Sequence, residues 1–323
     1  MKKLLVILLV LCLLMSVFTG CGDKKGEVDP ADQATAAPTP FNPGTAPTTD
    51  PVDTTSMKPE EIFNFDPDTN TLLGFLEDVV GVTDIVIPNE ILGVEVKIIA
   101  PYAFSDRSLN SAVLPDTIVE IQEFAFQRNN LTEINIPSTI KVLGKYSFKK
   151  NKLTEVVVPD TITVIEKGVF SDNKLTKITL PDTITLIQMN AFSKNSLVEV
   201  IIPPLVTQIE SYAFQDNKLE NVVFNDVIKR IDGLAFSINN LTSITIPKSV
   251  EEIGAATEGV DKPQLYDRFT FAYNPRLTSI TMLSGNVEVC DFFLGESNHF
   301  KIAYKSGGAG TYTGSQYGKW EKE

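Results

Sequence analysis

Between about residue 72 and residue 282, apolar and polar positions alternate in a rhythm that is neither purely helical nor purely extended. In "LTKITLPDTITLIQMNAF", residues 175–192, Ile178 and Leu180 stand two apart, as side chains on one face of a strand do. The residues between and beside them point the other way. Pro181 has no N–H and closes the pairing run, and Asp182 is placed to bond the backbone of the turn that follows. Ile184 and Ile187 return inward, and Ala191-Phe192 adds a small and a large residue. The pattern predicts a strand of about four residues, followed by short extended or 3-10 pieces too brief for an average helix.

The same phrase recurs at a fixed period. Phe falls at 104, 126, 148, 170, 192, 214 and 236, always 22 apart. Leu follows five places later, at 109, 131, 153, 175, 197, 219 and 241, and Asn occupies 129, 151, 173, 195, 217 and 239. Pro stands at 115, 137, 159, 181, 203 and 247, with Asn225 as the one replacement. A fixed period of this length predicts a solenoid. No single coil can bury its apolar face, so coils must stack until the Leu, Ile and Phe columns form one core. Strands then pair in parallel, about 4.8 Å apart. The Asn column is expected to bond the turn backbone, with Asn itself tolerating φ > 0.

These landmarks, L-T-x-I-x-I-P and A-F, resemble the BspA-like bacterial leucine-rich repeats over roughly residues 72 to 282. The resemblance implies a repeat solenoid of 22-residue coils, a right-handed β-solenoid or α/β horseshoe. It also implies a parallel concave sheet, short convex segments, and a role as a secreted or surface-attached adhesion and binding protein. Two breaks interrupt the register. "NEILGVEVKIIAPYAF" holds a five-residue excess before Phe104, and Phe236 to Phe271 is 35 residues, which places a 13-residue insertion near 254–268. Residues 61–104 read as an N-terminal capping unit, 105–282 as repeats and 283–323 as a C-terminal cap. In that last segment "FKIAYKSGGAGTYTGSQYGKW" reads as strand, Gly-rich turn and strand.

The opening "MKKLLVILLVLCLLMSVFTGCG" has Lys2 and Lys3, an apolar run from Leu4 to Met15, and small residues before Cys21. It reads as a secretory leader over 1–20, and Cys21 resembles the lipidated Cys of a bacterial lipobox, with Phe18 where Leu is usual. Ordinary cleavage leaving Cys21 as a free thiol is the alternative. Residues 21–60 are rich in Pro, Thr, Ala and Asp and too poor in bulky apolar groups to fold, so they read as a tether. The tether would span about 120 Å if polyproline-like, or roughly 35 Å as a coil.

Charge narrows the partners. The chain has 28 Lys and Arg against 41 Asp and Glu. That balance argues against nucleic acid and against charge-driven membrane binding. Cys290 is left as the single thiol beyond the leader, and no Cys/His cluster has zinc-site spacing, so neither metal nor other cofactor is expected. His299 is the only His, with no Ser or Cys motif beside it, and no phosphate loop or G-x-S-x-G elbow is present, so an enzyme is not expected. Asp after Pro, at 116, 160, 182 and 226, is interrupted too often for a calcium ladder.

Binding candidates are the outward strand slots. One row runs Ser111, Glu133, Glu155, Lys177, Glu199, Asn221, Ser243 and Ser279; the other runs Val113, Asn135, Val157, Thr179, Ile201, Val223, Thr245 and Thr281. The central ten, Glu133, Asn135, Glu155, Val157, Lys177, Thr179, Glu199, Ile201, Asn221 and Val223, are the expected ligand contacts, Ile201 and Val223 forming an apolar patch. Tyr266 and Phe269 in the insertion, and Tyr312, Tyr317 and Trp320 in the cap, are further aromatic candidates. The expected protein is a lipid-anchored monomer on a bacterial surface that binds a protein or glycan of a host or neighbouring cell. An envelope assembly component with no external ligand is the alternative.

Overall fold

The computed structural model describes residues 56–255, 270–289, 299–315 and 318–323. The leader, Cys21, the tether up to residue 55, most of the 254–268 insertion with Tyr266, Phe269, Cys290 and Tyr317 lie outside the described residues.

The coils contribute strands to two sets of parallel ladders, although the coil of Glu133–Ile136 has no face strand. The face strands include Glu155–Val157, Lys177–Thr179, Glu199–Ile201 and Asn221–Val223. Their inward residues, Val156, Val200 and Val222, are buried, while their neighbours point outward. The return segment, expected as a loose extended piece, is itself a ladder. Val164–Ile165, Leu186–Ile187, Gln208–Ile209, Arg230–Asp232, Glu252–Ala255 and Glu288–Val289 form one six-stranded parallel sheet, each strand paired with the next coil. Two to four residues per coil suffice, because each strand meets its counterpart in the next coil, 22 residues on or, across the insertion, 36. Hydrogen-bonded turns, rather than 3-10 helix, link the ladders.

The core is a set of columns. Phe104, Phe126, Phe148, Phe170, Phe192, Phe214, Phe236 and Phe271 are fully buried, and each ring stacks on the next at centroid distances of 5.3 to 5.8 Å. Ile184 and Ile187 are buried as the pattern requires, and so is the Leu column. Burying each Phe contributes about 1.5–3 kcal/mol.

Asn locks the columns together. The Asn195 side-chain amide donates to the carbonyls of Phe170 (3.0 Å) and Phe192 (3.1 Å), and its oxygen accepts from Leu175 N–H at 2.9 Å. Asn151, Asn173, Asn217 and Asn239 repeat this bridge one coil at a time. Asn274 does the same beyond the insertion, holding Leu241 N–H at 3.1 Å. The positive φ expected of Asn falls instead on its predecessor: Arg128, Lys150, Asp172, Lys194, Asp216 and Ile238 all sit near +56°. Asn is held by its side chain, so the residue before it makes the bend. Nor does the Asp after Pro cap its turn. Among the described residues Asp116, Asp160 and Asp182 have no side-chain hydrogen bond; the Thr that follows, as at Thr161 and Thr183, donates across to an Ile carbonyl of the previous coil, and Thr139 after Ser138 does the same.

A second aromatic column stacks Tyr102 on Phe124 (4.7 Å) and Phe124 on Tyr146 (5.1 Å). It stops at Gly168, where a Cβ would lie 2.4 Å from the Tyr146 ring and φ is +59°.

Both ends are closed by antiparallel additions. Phe63–Asp66 pairs with Thr71–Phe75, and Phe63 and Phe75 cover Phe104 at the head of the Phe column. The five-residue excess before Phe104 is a small hairpin, Glu90–Ile91 with Val94–Glu95, turning at Leu92 and Gly93, which both have positive φ. At the other end the expected strand "FKIAY" is a helix, His299–Gly307, followed by strands Gly310–Gly314 and Trp320–Lys322 on the edge of Ser279–Met282. Its Phe300 and Tyr304 lie one helical turn apart and meet Tyr312 and Trp320 in a buried aromatic cluster.

Candidate functional site

All ten central candidates are exposed on the strand face. The ladders set their spacing. Glu155 lies beside Lys177 and Val157 beside Thr179; Glu199 lies beside Asn221 and Ile201 beside Val223. The register thus sets an acidic slot beside a basic one and an apolar slot beside an apolar or hydroxyl one. Glu133 and Asn135 are exposed but lie outside any paired strand.

The exposed apolar groups are large. Val157 is 65% exposed, Ile201 69% and Val223 45%. The patch also extends further than the candidate set. Val86 (69% exposed) and Val113 (54%) are register partners at the start of the same row. Val86 stands 27 residues before Val113 rather than 22, so its slot was hidden by the hairpin excess.

The face sheet is not continuous, and this opens two clefts. Between Glu155–Val157 and Lys177–Thr179 the ladder is flanked by the bonds Thr176 N to Thr154 O and Val158 N to Thr179 O. The equivalents one coil on, Val198 N to Thr176 O and Leu180 N to Ile201 O, are not formed. The strands separate there, leaving a cleft of about 350 Å³ whose walls include Lys177, Thr179, Leu180, Glu199, Ile201 and Pro203. Its inner wall is only half closed, since Ile178 and Leu180 are partly exposed core positions. A second cleft of about 320 Å³ lies between Glu133–Ile136 and Glu155–Val157, two coils earlier. These clefts present backbone amides and carbonyls beside charged and apolar side chains, which suits a ligand with mixed polarity.

Among the described residues no group of three or more His, Cys, Asp or Glu side chains is placed to hold a metal ion. His299 opens the C-terminal helix, away from the strand-face candidates in the fold order. Glu210, on the return side, departs from ordinary carboxyl behaviour. Burial pushes its pKa up, offset in part by the bond it accepts from Met189 N–H at 2.9 Å. Asp84, at the head of the face, is held down by donated bonds from Ser111 (2.6 Å) and Thr83 (2.8 Å). Tyr312 and Trp320 are buried in the cap and are not exposed stacking platforms.

The profile of the BspA type leucine rich repeat region matches residues 77–198 and 163–257 in six copies, together more than half of the chain. This is a BspA-type leucine-rich repeat protein. The BspA-type profile covers the coils that carry all ten candidate contacts. Among solved structures, a leucine-rich repeat protein from Bacteroides ovatus aligns over 76% of this chain and 79% of its own, at 22% identity with a TM-score of 0.52, and shares the fold. A leucine rich cell surface protein from Faecalibacterium prausnitzii aligns over 68% of each chain, at 21% identity and a TM-score of 0.44. No curated protein matches the sequence. No helix among the described residues of this BspA-type protein is long and apolar enough to cross a membrane.

Proposed function

We propose that this protein is a lipid-anchored binding or adhesion protein of a bacterial surface, a monomer whose strand face holds a macromolecular protein or glycan. The observation that carries the reading is the exposed apolar row Val86, Val113, Val157, Ile201 and Val223, flanked by a charged row and interrupted by two clefts. Side chains this apolar contribute nothing to folding when they face water, whereas covering them by a partner stabilises a complex. Individual contacts on such a face are weak. A tether and many copies on one surface would convert them into durable attachment. In this reading Cys21 carries the lipid and residues 22–60 form the tether.

The test is binding of the chain lacking its leader to arrays of matrix proteins and glycans, compared with Ile201→Glu and Val223→Glu. The expected result is a specific target whose binding falls at least tenfold in either variant, with an unchanged unfolding midpoint. A target bound equally well by both variants would remove the strand face from the reading. Cys21→Ala is expected to release the protein from the membrane fraction and abolish incorporation of labelled palmitate.

A further inference from the structure

The acidic whole-chain balance conceals a basic region. Residues 128–177 contain nine Lys and Arg against five Asp and Glu, in a chain with 41 acidic and 28 basic side chains overall. Their register is more telling than their number. Elsewhere in the turn, opposite charges fall one coil apart: Asp106 with Arg128 at 3.9 Å, and Asp172 with Lys194 at 3.8 Å. Between the coils of Phe126, Phe148 and Phe170 three slots stack like charges, although Asp172 follows Lys150 in the first of them. Arg128 is followed in its slot by Lys150, Lys145 by Lys167, and Lys152 by Lys174, each pair 22 residues apart. Adjacent coils are about 4.8 Å apart, so these are like charges held side by side.

The turn also gathers them. Lys149 and Lys167 both place Nζ over the Tyr146 ring, at 5.1 and 5.9 Å. Lys145, Lys152 and Lys174 are exposed. No carboxylate lies within ion-pair distance of Lys145, Lys150, Lys152, Lys167 or Lys174 among the described residues. The one interruption of the return ladder, between Val142–Leu143 and Val164–Ile165, falls at the same coils. Stacked like charges on an exposed turn work against folding, so their use is to be sought in something they attract.

We infer that this turn is a second recognition surface, which binds a linear acidic polysaccharide bearing sulfate or carboxylate groups. Lys presents compact ammonium charges with rotatable donors, suited to anionic groups strung along a flexible chain rather than to one fixed bidentate partner. The patch spans three coils, about 10–15 Å, with Asp106 one coil before Arg128 and Asp172 one coil after Lys150, which limits it to a short stretch of polymer. Nucleic acid is a poorer fit, because the aromatic rings here, Phe124 and Tyr146, are buried and offer no stacking platform for bases. The inference rests on the reading of the protein as a macromolecule binder, but it uses a different surface.

The experiment titrates the full-length secreted chain with heparin and chondroitin sulfate across increasing salt, with dextran, duplex DNA and phosphatidylglycerol vesicles as comparisons. Expected are heparin binding that weakens steadily with salt, no dextran binding, and weaker binding of DNA and vesicles. Lys152→Glu/Lys174→Glu is expected to lose at least tenfold in heparin affinity and to flatten the salt dependence, with an unchanged unfolding midpoint. Lys145→Glu/Lys167→Glu is a second pair, giving the same readout should the first fail to fold. Ile201→Glu/Val223→Glu should bind heparin as the parent does, which separates this surface from the strand face. No heparin binding at low salt, unchanged binding in the Lys variants, or tighter binding of DNA or vesicles would overturn the assignment.

Discussion

The turn that carries Phe and Asn and the face that carries Glu, Lys and Val come from the same 22-residue phrase, yet they are built to opposite rules. In the turn, the same side chain does the same task in each coil from Phe126 to Phe271: Phe stacks, Asn bridges two carbonyls and one N–H, and the residue before it bends at positive φ. On the face, neighbouring slots hold Glu, Lys, Asn or Val, and the ladder opens between some coils and closes between others. The difference teaches where cohesion and recognition reside. The turn holds coil to coil, which leaves the face free to vary in sequence and even to lose backbone pairing.

The comparison breaks most readily at Phe170. Phe170→Ala removes a ring stacked on both sides and is expected to cost about 3–5 kcal/mol, read as a fall in the denaturant midpoint. Asn195→Ala should follow at about 1–3 kcal/mol, because Leu175 N–H and the Phe170 and Phe192 carbonyls lose their buried partner. Gly168→Ala is expected to cost about 1–3 kcal/mol from the left-handed backbone and the clash with Tyr146. A double variant with Tyr146→Ala should recover the clash but not the backbone part, so the two effects come out less than additive. On the face, Ile201→Glu and Val223→Glu should change stability by no more than about 0.5 kcal/mol. Equal losses on both sides would erase the distinction drawn here.

The smallest effect is one of pH. Glu210 has a folded pKa raised chiefly by burial, so the folded state holds its proton more tightly than the unfolded chain does. Its carboxylate penalty is absent below the ordinary carboxylate range and grows as pH rises through the raised folded value. Unfolding midpoints should therefore decline more gently with rising pH in Glu210→Gln than in the parent. Asp84 has the opposite sign, and its contribution fades as pH falls.

The columns were legible because a period is a distance: residues 22 apart must become neighbours once coils stack, and Phe148, Phe170 and Phe192 do. Outward and inward strand slots were legible for the same reason. Other features were not, since they depend on what happens between columns. Val164–Ile165 is too short to announce a strand by alternation, and becomes one only through its neighbours' matching backbone. The positive φ went to Lys194 instead of Asn195 because Asn is fixed by its own bridging bonds, a matter of side-chain geometry. "FKIAY" alternates like a strand, yet Phe300 and Tyr304 satisfy a helical spacing equally well, and the aromatic cluster with Tyr312 and Trp320 decides between them. The openings beside Ile178 and Leu180 carry no sequence mark, because the apolar slots look alike whether their strands are zipped or parted.

The Asn bridge closes over chain of very different length. Leu219 and Asn239 are 20 residues apart and Leu241 and Asn274 are 33 apart, yet their bonds measure 2.9 and 3.1 Å. A clasp indifferent to how much polypeptide runs between its two halves makes each coil a potential docking point for foreign sequence. Such a scaffold can gain whole new segments without renegotiating its core, so its surface can diversify by length as well as by substitution.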